Sequence, residues 1–311
     1  MIAPAECGHE NYKKSGKHSS GRQRYKCKDC GKRFTRENDR PLGNMRIDQA
    51  QAELALSLLL EGMSIRATER ITNLHRDTIC SLILTVGEKC QTFIDSLEGI
   101  AVDDVQIDEI WSYVGAKEKN KKHPEHGDSW TFIAIERNTK MILAFHEGMR
   151  NQHSCDQFLA KLNQATAGSR FQVSTDGLGL YRHGVPFGLG SRVDFGQLVK
   201  TYASSQTETR YSPATIIKAE KVARFGNPDQ DKICTSHIER FNLTMRMNNR
   251  RFTRLTNAFS KSLDHHKAML AIVFVWYNWC RKHETIKMTP AMASGVADKK
   301  WTIRELLENI S

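Results

Sequence analysis

Near residue 101 helical spacing gives way to a succession of β-prone runs that deliver acids to strand ends, and this pattern constrains the fold more than any other feature. Val105, Ile107 and Trp111 come first, then Trp130-Thr131-Phe132-Ile133-Ala134-Ile135, then Met141-Ile142-Leu143-Ala144-Phe145. These predict three successive antiparallel strands, with a Lys-rich hairpin loop at residues 116–129 and a turn at Asn138-Thr139. A helix from Ser154 to Leu162 leads to a fourth strand, Phe171–Thr175, and a helical crossover of this kind returns the chain parallel. Asp108 then lies on the first strand and Asp176 at the end of the fourth, where neighbouring strands place the two carboxylates side by side.

A third acid, Glu239 in Ser236-His237-Ile238-Glu239-Arg240-Phe241-Asn242, opens a helix-like stretch. Hard oxygen donors of this kind hold Mg²⁺ or Mn²⁺, which bridge to phosphate oxygens. Two such ions about 3.5–4 Å apart activate an attacking hydroxyl and stabilise a leaving oxygen. Each acid also has a plainer reading. An Asp after a strand is a turn former, and Ser236-x-x-Glu239 fits a helix capping box. The surroundings favour the chemical reading: Arg240, Arg246, Arg250, Arg251, Arg254 and Lys261 follow Glu239 with no acid among them, a cation run suited to a polymer with one charge per phosphate. Arg246, Arg250, Arg251 and Arg254 are the candidates for backbone contact, and His237 is the candidate for orienting substrate beside Glu239.

Residues 1–40 form a separate polar module rich in Lys and Arg, including Lys13, Lys14, Lys17, Arg22, Arg24 and Lys26. Its signal is Cys27-Lys28-Asp29-Cys30-Gly31-Lys32, a knuckle in which Gly31 lets the backbone turn around a tetrahedral Zn²⁺. Upstream stand Cys7-Gly8-His9. Three arrangements fit these residues: Cys7, His9, Cys27 and Cys30 bind together with a short bite at Cys7-x-His9; the three Cys bind with His9, His18 or water as the fourth ligand; or the knuckle holds no metal.

Residues 45–95 read as helices. Ala50, Leu54, Leu58 and Leu59 recur near helical spacing, Gly62 stops that helix, and Ser64 caps the next, Ile65 to Ile71. Asn73-Leu74 turns the chain into Arg76-Asp77-Thr78-Ile79-Cys80-Ser81-Leu82. That is the layout of a helix-turn-helix, whose second helix enters the major groove; a small helical bundle has the same spacing. His75, Arg76, Asp77, Thr78 and Ser81 are the candidates for base or phosphate contact, Arg76 and Thr78 foremost, with Ile79, Leu82 and Leu84 assigned to the core. At the other end, an apolar helix over about Leu263 to Arg281 is core, and His265 and His266 beside it are candidates for phosphate contact. The Gly/Pro/Ser-punctuated stretch at about 184–228 reads as an insertion in a 101–295 domain, and residues 296–311 as a tail.

The 311 residues carry 46 Lys and Arg against 35 Asp and Glu, a net charge of +11. Such a balance selects polyanion partners. The longest apolar stretch, Ala268–Trp279, is too short to span a bilayer, and the first residues lack the basic and apolar regions of a secretory leader. Eight Cys in a basic chain of this size read as reduced thiols with a few used for metal, so the expected location is the cytoplasm, with no membrane partner.

Several segments together resemble DDE transposases of the insertion-sequence-one type. They are Val105-Gln106-Ile107-Asp108-Glu109-Ile110-Trp111-Ser112-Tyr113-Val114-Gly115, Gly127-Asp128-Ser129-Trp130-Thr131-Phe132, Ser174-Thr175-Asp176-Gly177, and Glu239-Arg240-Phe241-Asn242-Leu243-Thr244-Met245-Arg246. The similarity continues through Arg251 to Lys261 and ends at Tyr277-Asn278-Trp279-Cys280-Arg281-Lys282-His283 and Thr289-Pro290-Ala291. The resemblance implies an α/β fold with an RNase H-like catalytic domain, a mixed sheet flanked by helices, preceded by a zinc-ribbon-like module and a helix-turn-helix. It implies Asp108, Asp176 and Glu239 as the metal-binding triad of strand cleavage and strand transfer, double-stranded DNA as transposon ends and target, and a homo-oligomer that pairs two ends. The family usually carries Cys-Pro-x-Cys-Gly at the first knuckle; here the position three before Cys7 is Pro4, which binds no metal. Two other classes stay open: an RNase H-like nuclease that cleaves without joining, and an inactive DNA-binding regulator descended from a transposase.

Overall fold

The computed structural model describes residues 7–9, 11–17, 23–35, 41–43, 45–202, 216–254 and 256–310. They fall into two compact units divided after Met45. His18, Arg22 and Pro4 lie outside the described residues, as does 203–215 of the expected insertion.

The first unit is an antiparallel meander of β1 (Tyr12–Lys17), β2 (Gln23–Cys27) and β3 (Arg33–Thr35). It is too small for an aliphatic core and packs three rings instead. Tyr12 meets Tyr25 and Phe34 edge-on with centroids 5.6 Å away, and Tyr25 stacks on Phe34 at 5.7 Å. The β2–β3 turn is closed by Cys27 N–H to Lys32 O at 2.9 Å and Gly31 N–H to Cys27 O at 3.2 Å, with Gly31 at φ +74°. Only glycine adopts that conformation without steric cost.

The second unit opens with α1 (Gln49–Leu60), α2 (Ile65–Thr72) and α3 (Arg76–Asp95). Asp48 caps α1 by accepting from Gln51 N–H at 2.8 Å, and Ser64 caps α2 by accepting from Ala67 N–H at 3.1 Å. The buried seam of α1 is Ala52, Ala55, Leu56, Leu59 and Leu60, while Leu54 faces outward. In α3 the core positions are Ile79, Leu82, Ile83 and Val86; Leu84 is only half-buried.

A six-stranded mixed sheet follows, built from β4 (Asp104–Val114), β5 (Gly127–Glu136), β6 (Ile142–Gly148), β7 (Phe171–Asp176), β8 (Val193–Tyr202) and β9 (Ile216–Phe225). The order across it is β6-β5-β4-β7-β8-β9. The pairs β4–β5, β5–β6 and β8–β9 are antiparallel, whereas β4–β7 and β7–β8 are parallel. The crossover from β6 to β7 is α4 (Gln152–Ala165), and that from β7 to β8 is α5 (Leu180–Leu189). Residues 184–202 are therefore the end of a crossover helix and a strand of the central sheet rather than an insertion, and 216–225 is the edge strand beside it.

After the sheet come α6 (Ser236–Asn248), α7 (Leu263–Val275) with a π-turn at Trp276–Cys280, α8 (Pro290–Ala293) and α9 (Ile303–Asn309). α7 is buried along almost its whole length. It lies so close to α3 that a Cβ at Gly87 would fall 2.4 Å from that of Ala268. Buried residues run along α3 from Ile79 to Ile94, while His75, Arg76, Asp77 and Ser81 at its start are exposed. Asn278, fully buried, exchanges two hydrogen bonds with the backbone of Ile142 at 2.8 and 2.9 Å, which covers the edge of β6. Residues 296–310 are not a loose tail. Trp301 packs on Trp279 and Phe93, Leu306 and Leu307 are buried, and Arg304 binds Glu53 of α1 at 2.7 Å. Helices α1–α3, the sheet and this segment share one compact unit, so the boundaries expected near 95–101 and 295 are not breaks in packing. Among the described residues no helix is long and apolar enough to cross a membrane.

Candidate functional site

Parallel pairing of β4 with β7 sets Gln106 opposite Ser174 and Ile107 opposite Thr175. One residue further, Asp108 comes level with Asp176. Side chains alternate along a strand, so Gln106, Asp108 and Asp176 project on the same face, and α6 lies against that face. Its first turn is fastened by Gln106, fully buried, whose Oε1 accepts from the backbone N–H groups of His237 (2.9 Å) and Ile238 (3.2 Å). One turn later Asn242 Nδ2 donates to Asp108 Oδ2 at 2.9 Å. Glu239 lies between these anchors at the exposed mouth, where it accepts from Thr235 Oγ1 at 2.7 Å and pairs with Lys200 of β8. The capping box suggested by Ser236-x-x-Glu239 does not form, since Thr235 is the N-cap and has no side-chain capping bond.

A second buried glutamine fixes the turn after β7. Gln197 of β8 donates Nε2 to the carbonyls of Asp176 (2.7 Å) and Leu178 (3.1 Å), and Asp176 Oδ1 accepts from Leu178 N–H at 2.9 Å. Neither Gln106 nor Gln197 stood out in the sequence, because an amide on a strand looks the same whether it is solvated or acts as a staple. Asn242 did leave a signal: it follows Glu239 by three residues, which puts both on one helical face.

Burial, then the charges of Glu109, Asp176 and Glu239, push the Asp108 carboxyl up from 3.8 to about 7. Glu109, adjacent in sequence, projects on the opposite face. Tyr181 of α5 donates its hydroxyl to Glu109 Oε1, and Arg150 donates to Oε2 at 3.1 and 3.2 Å while its guanidinium sits 4.5 Å over the Trp130 ring. Glu109 is thereby satisfied by protein donors and ties α5 to β4. Asp108 has one side-chain donor and three acidic neighbours.

This donor set suits a hard divalent cation. The like charges of Asp108, Asp176 and Glu239 repel unless a cation offsets them, and Asn242 Oδ1 is buried with no hydrogen-bond partner. The acids are less tightly gathered than Cys7, His9, Cys27 and Cys30, the set among the described residues whose ligand atoms all lie within 4.8 Å of one another. In that set Cys27 Sγ lies 3.6 Å from His9 Nδ1, and the backbone of Cys30 holds the Cys27 thiol down at about 7. Among the described residues His9 is the one that joins the three cysteines.

The basic candidates divide. Arg246, half-buried on α6 two turns beyond Glu239, is near enough to Asp108 to feel its charge, and burial and Arg254 lower its pKa. Arg254 is exposed and Thr78 half-buried in the first turn of α3. Arg76, Arg250 and Arg251, read from the sequence as parts of separate modules, line one cavity. The His237 ring faces Lys140 Nζ at 3.2 Å, and burial and Lys140 lower its pKa to about 4. Only its backbone N–H serves the site. His266 is no phosphate contact: it is fully buried between Ser112 Oγ (3.2 Å) and Ser260 Oγ (2.8 Å), and burial holds it at about 3.

Gln106→Met keeps the volume and removes the acceptor for two N–H groups of α6. Buried orphan groups cost about 1–3 kcal/mol each, so the thermal midpoint of the metal-free protein should fall by several degrees. A wild-type midpoint in differential scanning calorimetry would show that α6 is held by something else.

Residues 101–192, which include Asp108 and Asp176 but not Glu239, match the family model described as IS1 transposase. The InsB protein of insertion element iso-IS1n from Shigella dysenteriae is 26% identical over 165 residues, covering 53% of this chain and 88% of that protein. On both matches the chain is similar to IS1-type insertion-sequence transposases, the family its own motifs resemble.

Proposed function

We propose that this chain is a DNA transposase that cleaves the ends of its element and joins them to target DNA, with Asp108, Asp176 and Glu239 as metal ligands. The observation that carries this reading is the convergence of the three acids on one face of β4, β7 and α6, where burial first and then the charges of Glu109, Asp176 and Glu239 raise the Asp108 carboxyl to about 7. The strand order, with an acid on the central strand and another at the end of its parallel neighbour, supports an RNase H-like domain. Residues 65–82 of α2 and α3, with Ser64 and Asn73 as cap and turn, support a helix-turn-helix, and the Cys/His group supports a zinc-ribbon-like module that holds one Zn²⁺.

Bound by the triad, Mg²⁺ or Mn²⁺ supplies charge neutralisation at the phosphate and a lowered pKa for the attacking hydroxyl. The chain's own share is positioning. Gln106 holds α6 so that Glu239 and Asn242 approach Asp108, Gln197 sets the Asp176 turn, and Lys200 and Arg246 lie where a phosphodiester would bring charge. The reaction is two in-line transfers at one site: water attacks the phosphodiester at each end and frees a 3′-hydroxyl, which then attacks a target phosphodiester and displaces the target strand's own 3′-hydroxyl. Pairing two ends calls for a homo-oligomer.

The test is an assay with labelled fragments carrying the inverted repeats that flank the gene, supercoiled target DNA and Mg²⁺. Cleavage followed by joined product is expected. Cleavage without joining would make it a nuclease, and end binding without cleavage a regulator.

A further inference from the structure

A cavity of about 530 Å³ lies between the starts of α2 and α3 and the segment that follows α6. Its wall carries Arg66, Arg76, Arg250, Arg251, Lys261 and His265 and no acidic residue. Two of these cations have acidic partners, both in exposed pairs: Arg66 with Glu69 at 2.8 Å and Arg76 with Asp77 at 3.2 Å. Pairs of that kind contribute little and exchange readily. Among the described residues no carboxylate pairs with Arg250, Arg251 or Lys261.

We propose that this cavity holds a segment of duplex DNA backbone, with Arg76 from α3 and Arg250 and Arg251 from beyond α6 closing on the same phosphate. The reading rests on the proposal that the chain binds DNA. Of the two roles open to Arg76, base or phosphate contact, it takes the second, and α3 and the acid-bearing helix α6 are coupled through one phosphate. Arg251 is the strongest support: it is half-buried on the cavity wall with no carboxylate paired to it among the described residues, and a partly desolvated cation of this kind gains from an arriving anion. Burial lowers its guanidinium to about 10, in the same direction. The size favours a phosphodiester over a bare ion, since roughly 300–1,000 Å³ is the range of sites for larger ligands. Met63, Ile65 and Ala258 on the same wall suit the flanking sugars.

The experiment is a double-mutant cycle on the full chain. Wild type, Arg76→Gln, Arg251→Gln and the double variant are titrated with a terminal-repeat duplex and a random duplex at several salt concentrations. Each single change should weaken both duplexes about 5–20-fold and remove part of the roughly 0.9 of salt slope that one phosphate supplies. The double variant should lose no more than about 0.9 in total. A slope loss well above about 0.9 in the double variant, unchanged binding by Arg251→Gln, or a loss from Arg76→Gln confined to the terminal repeat would each overturn the shared contact. If Arg251→Gln does not fold by circular dichroism, Arg250→Gln takes its place in the cycle. Inorganic phosphate should displace DNA no better than chloride of equal ionic strength; displacement that depends on Arg251 would make this a free-phosphate site. Failure of the wild type to bind either duplex removes the DNA reading and this inference together, whereas normal wild-type binding with indifferent variants removes the inference alone.

Discussion

Asp108→Asn should abolish cleavage and joining while making the metal-free protein more stable at neutral pH. The two effects have one cause. Asp108 lies against Asp176 and Glu239 in a partly enclosed site, where burial and like charge raise its carboxyl from 3.8 to about 7. A group whose folded pKa lies above its unfolded one holds its proton more tightly in the folded state. Stability therefore falls as pH rises from about 4 through about 7, by up to about 4 kcal/mol for a shift of this size. Asparagine carries no charge to repel, so the variant should lose that pH dependence. Activity should fall by about 10³-fold or more with the ligand gone, and likewise in Asp176→Asn and Glu239→Gln, while affinity for end DNA stays close to wild type. Asn242→Ala, which removes a partner of Asp108 rather than a charged ligand, should cost about 10–100-fold. Half-buried His146 and His237 and fully buried His266, held at about 4, about 4 and about 3, impose the opposite slope below pH 6.5. They are common to wild type and variant, so they cancel in the difference. Calorimetry of both proteins in chelator between pH 5 and 8, beside cleavage assays in Mg²⁺, reads both effects. Cleavage at the wild-type rate in any triad variant would remove that residue from the site, and an Asp108→Asn protein with the wild-type pH slope would mean that the Asp108 carboxyl is not raised by its surroundings.

The parts of this fold that could be read from the chain are those whose signals are local. β4 to β7 announce themselves by apolar runs and turns, and α2 by Ser64. α5 and β8 were hidden by their glycines. Gly184 and Gly188 sit in α5 because α4 is close: a Cβ at Gly188 would lie 2.9 Å from Leu159 Cβ. Gly196 sits in β8 because a Cβ there would lie 2.4 Å from Ile233 Cδ1. In isolation such residues, with Pro186 inside the helix, look like loop punctuation. In the fold they mark the tightest approaches between elements, which only long-range contacts reveal. The site follows the same division. Asp108, Asp176 and Glu239 stood out as candidates because Asp108 interrupts an apolar strand run, Asp176 ends one and Glu239 lies in the first turn of a helix. Gln106, Gln197 and the Tyr181–Glu109–Arg150 group act across elements, and one chain cannot tell a solvated amide from one that staples a helix. Arg76, Arg250 and Arg251 were visible as cations, but their convergence was not, since it depends on α3 packing along α7.

Removing metal from Cys7, His9, Cys27 and Cys30 should unfold the first unit and leave the second intact. The unit between β1 and β3 has a three-ring cluster and, among its described residues, few buried aliphatic side chains, and a domain of this size seldom holds together without a metal or disulfides. All eight cysteines, including Cys7, Cys27 and Cys30, are free thiols. The cluster is compact enough for tetrahedral coordination, which takes sulfur at about 2.3 Å and nitrogen at about 2.0–2.1 Å from Zn²⁺. Binding at such sites is worth about 10–16 kcal/mol near pH 7, and where no site preexists in the unfolded chain that free energy is folding free energy. One equivalent of zinc should therefore be found in the reduced, metal-replete chain, and Cys27→Ser or Cys30→Ser should lose it. In hydrogen exchange, chelation should release the amides of β1 and β2, including the Cys27 N–H held by Lys32 O, while β4 and α7 stay protected. His9→Ala distinguishes the four-ligand set from three cysteines and water: the affinity should drop by well over tenfold if the imidazole is a ligand. Less than about half an equivalent of zinc in the wild type, or β1 and β2 amides still protected in chelator, would mean that the knuckle is held by its aromatic cluster alone.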